Sequence, residues 1–311
     1  MTFNETSDPR DTSLFNCTIS GAPLASYLQP WSILAGVVIA GSCLLGVPAN
    51  FTIIAQLGRH LRGSSMTQRL FFNLALSDLL CLLCLPIGMY VFYSGTCLMD
   101  GLNRCLFYCF IFCVTTDLNI LVLISIQRYY QVLHPEKWVK VDRMWQRILL
   151  FSVWMLGAFV ALPAVFMTRN EARTEKTGGP ICNNLGIKPE LEAAYISFVV
   201  FSYLVLFSFY LLLVKGVKRT QMPNKKQPRA TKIFIRIIAV YLVTGFFPVF
   251  LRTFYVVALF TGSVNLLCVS RMLTFVECFY FFNHCLNPFL YFYASRHSRD
   301  SSRRTLLLND A

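Results

Sequence analysis

Residues 31–57, WSILAGVVIAGSCLLGVPANFTIIAQL, contain no charged side chain. A helix needs roughly 20 apolar residues to cross the hydrocarbon core of a bilayer, so this stretch is long enough with margin. Working outward, the pattern recurs six times. Leu70 to Tyr93 carries only Asp78 and Leu106 to Ile126 only Asp117. Ile148 to Thr168 and Ala193 to Val214 carry no charge. Ile233 to Phe260 has Arg236 near one end and Arg252 near the other, and Met272 to Ser295 has only Glu277. The alternative is a large soluble protein with buried core helices. Uncharged runs approaching twice the usual helix length of about 11–12 residues argue against it. So does the composition: 56% of the 311 residues are hydrophobic and 14% charged, where a soluble domain carries about 25% charged. The sequence predicts an all-α membrane protein, a bundle of seven transmembrane helices.

Charge sets the orientation. With the first tail outside, the inner segments hold twenty of the 28 Lys and Arg residues. The positive-inside rule then places the N-terminus outside. The net charge of +13 reads as an inner face beside anionic lipid and not as a nucleic-acid surface. The opening MTFNETSDPR is polar and has no basic start or short apolar core, so it does not read as a cleaved signal and the first helix inserts and stays. Residues 1–29 form an outer tail with sequons at Asn4 and Asn16, where glycosylation is expected. Residues 30–295 form the transmembrane domain. Residues 296–311 form an inner tail, of which Arg296 to Leu308 is expected as a short interfacial helix.

Asp78, Asp117 and Glu277 are carboxyl groups inside spans, where each is costly and so a functional candidate. Asn50, Asn283 and Asn287 sit at a depth similar to Asp78. Together they form either a polar cluster that hydrates a cation or a hydrogen-bond network with no ion. Pro48, Pro86, Pro163, Pro248 and Pro288 lie within spans, where proline removes a backbone hydrogen bond and kinks a helix. Five of twelve cysteines fall on the oxidising outer side: Cys17, Cys97, Cys105, Cys182 and Cys268. No hydrolytic triad, phosphate loop or metal helix is present, and the four histidines give no catalytic constellation. An enzyme is not expected.

Five stretches in order carry a family resemblance. They are Gly46-Val47-Pro48-Ala49-Asn50; Asn73-Leu74-Ala75-Leu76-Ser77-Asp78; Trp154 with Pro163; Phe246-Phe247-Pro248; and Asn287-Pro288-Phe289-Leu290-Tyr291. They resemble the signatures of rhodopsin-like G-protein-coupled receptors over nearly the whole chain. The resemblance implies a plasma-membrane receptor that binds an extracellular ligand and activates a heterotrimeric G protein, with no cofactor apart from a structural sodium ion at Asp78. Gln127-Arg128-Tyr129 stands where the family has Asp-Arg-Tyr. Phe246 stands where many members have Trp. Gln127, Arg128, Tyr129, Phe246, Pro248, Asn287, Pro288 and Tyr291 are thus the expected switch and G-protein residues. The resemblance also implies disulfides Cys105–Cys182 and Cys17–Cys268, leaving Cys97 spare.

Within the family the chain is most similar by eye to the hydroxycarboxylic-acid and oxoeicosanoid receptors. The carriers are Arg128 to Pro135, the Gly-Gly and Cys182 of the long outer loop, and Phe247-Pro248 followed by Arg252. That likeness implies a small carboxylic acid or oxidised lipid as ligand and an inhibitory G protein. The subgroup's third-helix arginine aligns near Thr116, so its acid anchor is missing. The expected ligand contacts are Phe250, Arg252, Thr253, Arg271 and Glu277, with Arg252 and Arg271 able to meet a carboxylate. Ser202 and Ser298 depart from the family's proline and phenylalanine. Cys105 and Arg128 are also two residues too close. At about 100° per residue, two residues turn one half of a helix by about 200° against the other. Either the outer half re-registers or a distorted turn absorbs the change. Asn119 is expected at the ion site with Asn50, Asp78, Asn283 and Asn287. Counted back from Arg128, Asp117 would stand there instead, and two carboxylates would hold a proton or recruit a cation. The rival readings are a non-signalling or constitutively active decoy receptor and, further off, a transporter.

Overall fold

The structure, a computed structural model, describes residues 29–59, 64–94, 100–138, 142–166, 168–169, 185–186, 188–219, 229–263, 266, 273–288 and 291. The expected glycosylation sites, Cys17, Cys97, Cys182, Cys268, Arg271 and the interfacial helix lie outside these residues.

In hydrocarbon every backbone polar group must be paired within the protein, so apolar runs fold as helices. The helices are α1 (Gln29–Gly58), α2 (Met66–Ser94), α3 (Asp100–Leu133), the short α4 (Pro135–Trp138), α5 (Arg143–Ala161), α6 (Pro189–Arg219), α7 (Arg229–Thr261) and α8 (Leu273–Phe281). Six of them (α1, α2, α3, α5, α6 and α7) are long and apolar enough to span a membrane. The seventh predicted span is α8, which turns at Phe282 and continues as helix over 283–288. There Phe282 N donates to Phe279 O at 3.2 Å and Cys285 N to Phe282 O at 3.1 Å, the tighter three-residue pattern. Pro163 falls where α5 passes into a 3-10 turn, Leu162–Phe166. A proline removes the donor that an α-helix would need.

Local sequence starts two helices. Ser65-Met66-Thr67-Gln68 is a reciprocal cap: Ser65 N donates to Gln68 Oε1 at 2.9 Å and Gln68 N to Ser65 Oγ at 3.4 Å, satisfying two otherwise orphaned donors. Asp142 caps α5 by accepting from Arg143 N at 2.6 Å.

Helix α3 is the hub, packed against α2, α5 and α6. α1 packs on α2 and α8, and α7 joins α6 to α8. Small residues let backbones approach. A side chain at Gly157 of α5 would strike Thr116 of α3, and one at Gly46 of α1 would come within 2.6 Å of Leu82. The buried core runs through Ile53, Leu70, Leu74, Leu121, Ile124, Leu206, Phe234 and Ile238. Leu44, Phe51, Phe151, Phe159 and Phe201 point outward, onto the face a bilayer covers. A two-residue antiparallel ladder, Thr168 opposite Gly186 and Arg169 opposite Leu185, forms in the expected long outer loop.

α3 is one unbroken helix of 34 residues. No distorted turn absorbs the two missing residues, so one register runs through both halves.

Candidate functional site

Among the described residues, three polar assemblies occupy the bundle at different depths. Inner and outer follow the orientation predicted from charge.

The outer assembly is an ion network across α6, α7 and α8. Arg252 Nε donates to Glu192 Oε1 at 2.7 Å and its Nη1 donates to Glu277 Oε1 at 2.9 Å. The Glu192 side chain is 3% exposed, Arg252 23% and Glu277 33%, so the network opens toward Glu277. The Tyr195 ring lies 5.6 Å from the guanidinium. Charges inside a bundle need such partners, and one guanidinium between two carboxylates leaves a net negative charge. Arg252 and Glu277 were expected as ligand contacts; Glu192 was missed. Its sequence position at the start of α6 gave no sign that it turns inward. Thr253 bonds back to Val249 O at 2.8 Å.

The structure does not bring Phe246 and Phe250 to the interior. The buried stripe of α7 runs Phe234, Ile237, Ile238, Tyr241, Leu242 and Val256, with Arg252 on it. Phe246 is 51% and Phe250 45% exposed, beside the equally exposed Phe247. Pro248 sits within α7. The Tyr241 and Tyr280 hydroxyls are bonded to each other across α7 and α8.

The middle assembly is buried completely. Asp78 of α2 places Oδ1 2.6 Å from His284 Nδ1, and its Oδ2 accepts from Asn287 Nδ2 at 2.9 Å. Asp117 of α3 places Oδ2 3.1 Å from the same Nδ1. Neither Asp117 oxygen has a hydrogen-bond partner, nor has His284 Nε2. The Cys81 thiol lies beside the imidazole. The register counted back from Arg128 is therefore the one the fold adopts, and Asp117 takes the place expected of Asn119. Asn119 is buried with its Nδ2 unpartnered, about 200° around α3 from Asp117. Asn50 and Asn283 do not reach Asp78 either. Asn50 Nδ2 donates to His284 O at 2.8 Å and Asn283 Nδ2 to Thr244 Oγ1 at 2.6 Å. His284 was missed in the sequence. Its signal was the spacing of three to Asn287, which puts both on one helical face.

These donors do not make the expected sodium site. A hard cation takes oxygen ligands, and here an imidazole nitrogen stands against the Asp78 carboxylate.

The inner assembly surrounds Arg128. Gln127 Nε2 donates to Thr67 Oγ1 at 2.9 Å, and Arg128 Nη2 to the same oxygen at 3.5 Å. The Arg128 guanidinium lies 3.7 Å above the Phe234 ring, a cation–π contact. Among the described residues no carboxylate pairs with it. Tyr129 packs edge-on to Phe209 and Tyr130, and Tyr291 against Phe71. Trp154 Nε1 donates to Asn73 Oδ1 at 2.9 Å, joining α5 to α2. Cys105 is a free, exposed thiol, and its expected partner Cys182 is outside the described residues.

Residues 49–291 match the family model for the 7 transmembrane receptor (rhodopsin family). The chain belongs to the rhodopsin family of seven-transmembrane receptors. Human somatostatin receptor type 3 is 26% identical to the receptor, over 96% of this chain and 73% of the relative. The type-1 angiotensin II receptor of Gallus gallus is 23% identical, over 89% of this chain and 80% of the relative. The receptor is thus a multi-pass plasma-membrane protein that binds an extracellular ligand and couples to a heterotrimeric G protein, and it is not an enzyme.

Proposed function

We propose that the ligand carries a cationic group, an amine or a basic peptide side chain, recognised at Glu277 in the outer bundle. One observation carries this. Arg252 is already held by Glu192 and Glu277, so the network has a carboxylate in excess and attracts positive charge. A small carboxylic acid, expected from the subgroup likeness, would meet that excess as repulsion. It keeps one route, because Glu277 is partly exposed and a ligand carboxylate could take its place on Arg252. The relatives are named for somatostatin and angiotensin II. Coupling to an inhibitory G protein rests on the subgroup likeness alone. A sodium ion at Asp78 has no part in this proposal.

The test is a G-protein activation screen of amines and basic peptides against small carboxylic acids and oxidised lipids. Cationic ligands are expected to activate, and Glu277→Gln to weaken them by tenfold or more while leaving cell-surface expression intact. Activation by acids alone, lost in Arg252→Ala and kept in Glu277→Gln, would overturn the proposal. A fall in cyclic AMP on activation supports inhibitory coupling, and a rise overturns it.

A further inference from the structure

We propose that Asp78, Asp117 and His284 form a binding site for a divalent transition-metal ion of the zinc class, held between α2, α3 and the helical turns that follow α8. Three potential ligand atoms, one from each residue, lie within 4.8 Å of one another. His284 Nδ1 is 2.6 Å from Asp78 Oδ1 and 3.1 Å from Asp117 Oδ2. Around a tetrahedral ion with bonds near 2.1 Å, ligand atoms stand roughly 3.4 Å apart. The two nitrogen–oxygen distances need to widen by only about 0.3–0.8 Å to admit it, and the two carboxylate oxygens already lie within 4.8 Å of each other.

Donor chemistry selects the ion. One imidazole nitrogen and two carboxylates are a familiar ligand set for zinc, while calcium and magnesium prefer oxygens alone. The Cys81 thiol, one turn along α2 from Asp78 and beside the imidazole, makes the surroundings softer still.

Charge points the same way. Among the described residues no Lys or Arg pairs with Asp78 or Asp117, and both carboxylates are buried to 1% exposure or less. A neutral imidazole with two carboxylates leaves two negative charges, which a divalent ion cancels. A protonated imidazole or a sodium ion cancels one of them and a proton held between the carboxylates would have to cancel the other, whereas a single divalent ion neutralises both at a depth where an uncompensated charge is costly. Asp117 Oδ2 meets only the Nδ1 already taken by Asp78, and neither Asp117 oxygen nor His284 Nε2 makes a well-formed hydrogen bond, so hydrogen bonding alone leaves the cluster unfinished.

The surroundings hold the ligands in place, as supporting groups do around bound metals. Asn287 fixes the second oxygen of Asp78 at 2.9 Å, and Asn50 holds the His284 carbonyl at 2.8 Å. The imidazole lies against Phe281 at 5.9 Å, with Tyr280 edge-on at 5.8 Å.

The experiment uses the full-length receptor in lipid nanodiscs, stripped with a chelator and titrated with zinc chloride, sodium chloride or cobalt(II). Zinc is expected to raise the unfolding temperature saturably and sodium is not. Cobalt is expected to give the visible d–d bands of a four-coordinate site, abolished by zinc. His284→Asn and Asp117→Asn are each expected to lose both signals. X-ray absorption of the zinc-loaded wild type is expected to show a nitrogen and oxygen shell with one imidazole, and it reads the site even where the variants do not fold. Absence of zinc shift and cobalt bands in the wild type would overturn the proposal and leave a protonated imidazole bridging the carboxylates. Signals that survive in both variants, or a shell of several imidazoles, would overturn it by placing the metal elsewhere.

Discussion

Gln127 decides how Arg128 is held. The amide faces α2 and bonds Thr67, and Arg128 rests on Phe234 with no carboxylate among the described residues to lock it. An aspartate at position 127 would stand next to the guanidinium. Position 127 is fully buried, so a carboxylate there needs the guanidinium beside it as partner and favours the packing that contains the pair. Gln127→Asp is therefore expected to lower ligand-free nucleotide exchange severalfold, measured as basal GTP-analogue uptake by membranes. Equal uptake by variant and wild type would refute a lock weakened by Gln127. Trp154→Phe removes the bond to Asn73 but keeps most of the ring. It should cost about 1 kcal/mol, seen as a lowered unfolding temperature without change in signalling.

At the level of elements, the helices were legible in the sequence and their faces were not. Long apolar runs carrying two charges at most located the spans, because a charge in hydrocarbon is expensive wherever it points. A helix wholly surrounded by lipid and apolar neighbours is hydrophobic all round, so periodicity cannot say which side meets the core. Periodicity therefore could not check Phe246, placed by family position, or Phe250, named as a ligand contact, and both lie about half exposed; nor could it decide between Asn119 and Asp117, which were set by the family register. Polar residues with a fixed register behaved better: Asp78, Asn287, Arg252 and Glu277 all bond within the bundle. The small-residue contact between α3 and α5 offers a direct test. A leucine at Gly157 would drive into Thr116, and overpacking of this kind costs about 1–3 kcal/mol. Gly157→Leu is expected to reduce thermal stability in nanodiscs, with partial rescue by Thr116→Ala. No rescue would mean that the two helices meet elsewhere.

For the whole molecule, charge asymmetry predicts which way the bundle sits. Asn4 and Asn16 then face the glycosylation machinery. Asn4→Gln and Asn16→Gln are each expected to remove one glycosidase-sensitive increment of mass on a gel. Resistance of the wild type to glycosidase would undermine the orientation. Family membership was legible because five motifs fall in order. The site was half legible: single polar residues in spans stood out and His284 was signalled only by its spacing of three to Asn287, but Glu192 joins Arg252 through tertiary packing that no local pattern encodes.

The unbroken α3 acts as a ruler with no joint. Its inner end is pinned by Arg128 and Gln127, so any change in residue count appears at the far end as a change of phase. Two added residues above Asp117 would leave everything below in place. They would also rotate the outer half of the helix by about 200° and lift it by about 3 Å. Cys105, now a free thiol on the exposed side, would sweep round to the opposite side of α3. Accessibility of Cys105 to a membrane-impermeant maleimide, in the wild type and in a two-residue insertion, would read that phase directly. Chain length in this helix thus sets which residues the outer bundle presents, independently of what those residues are.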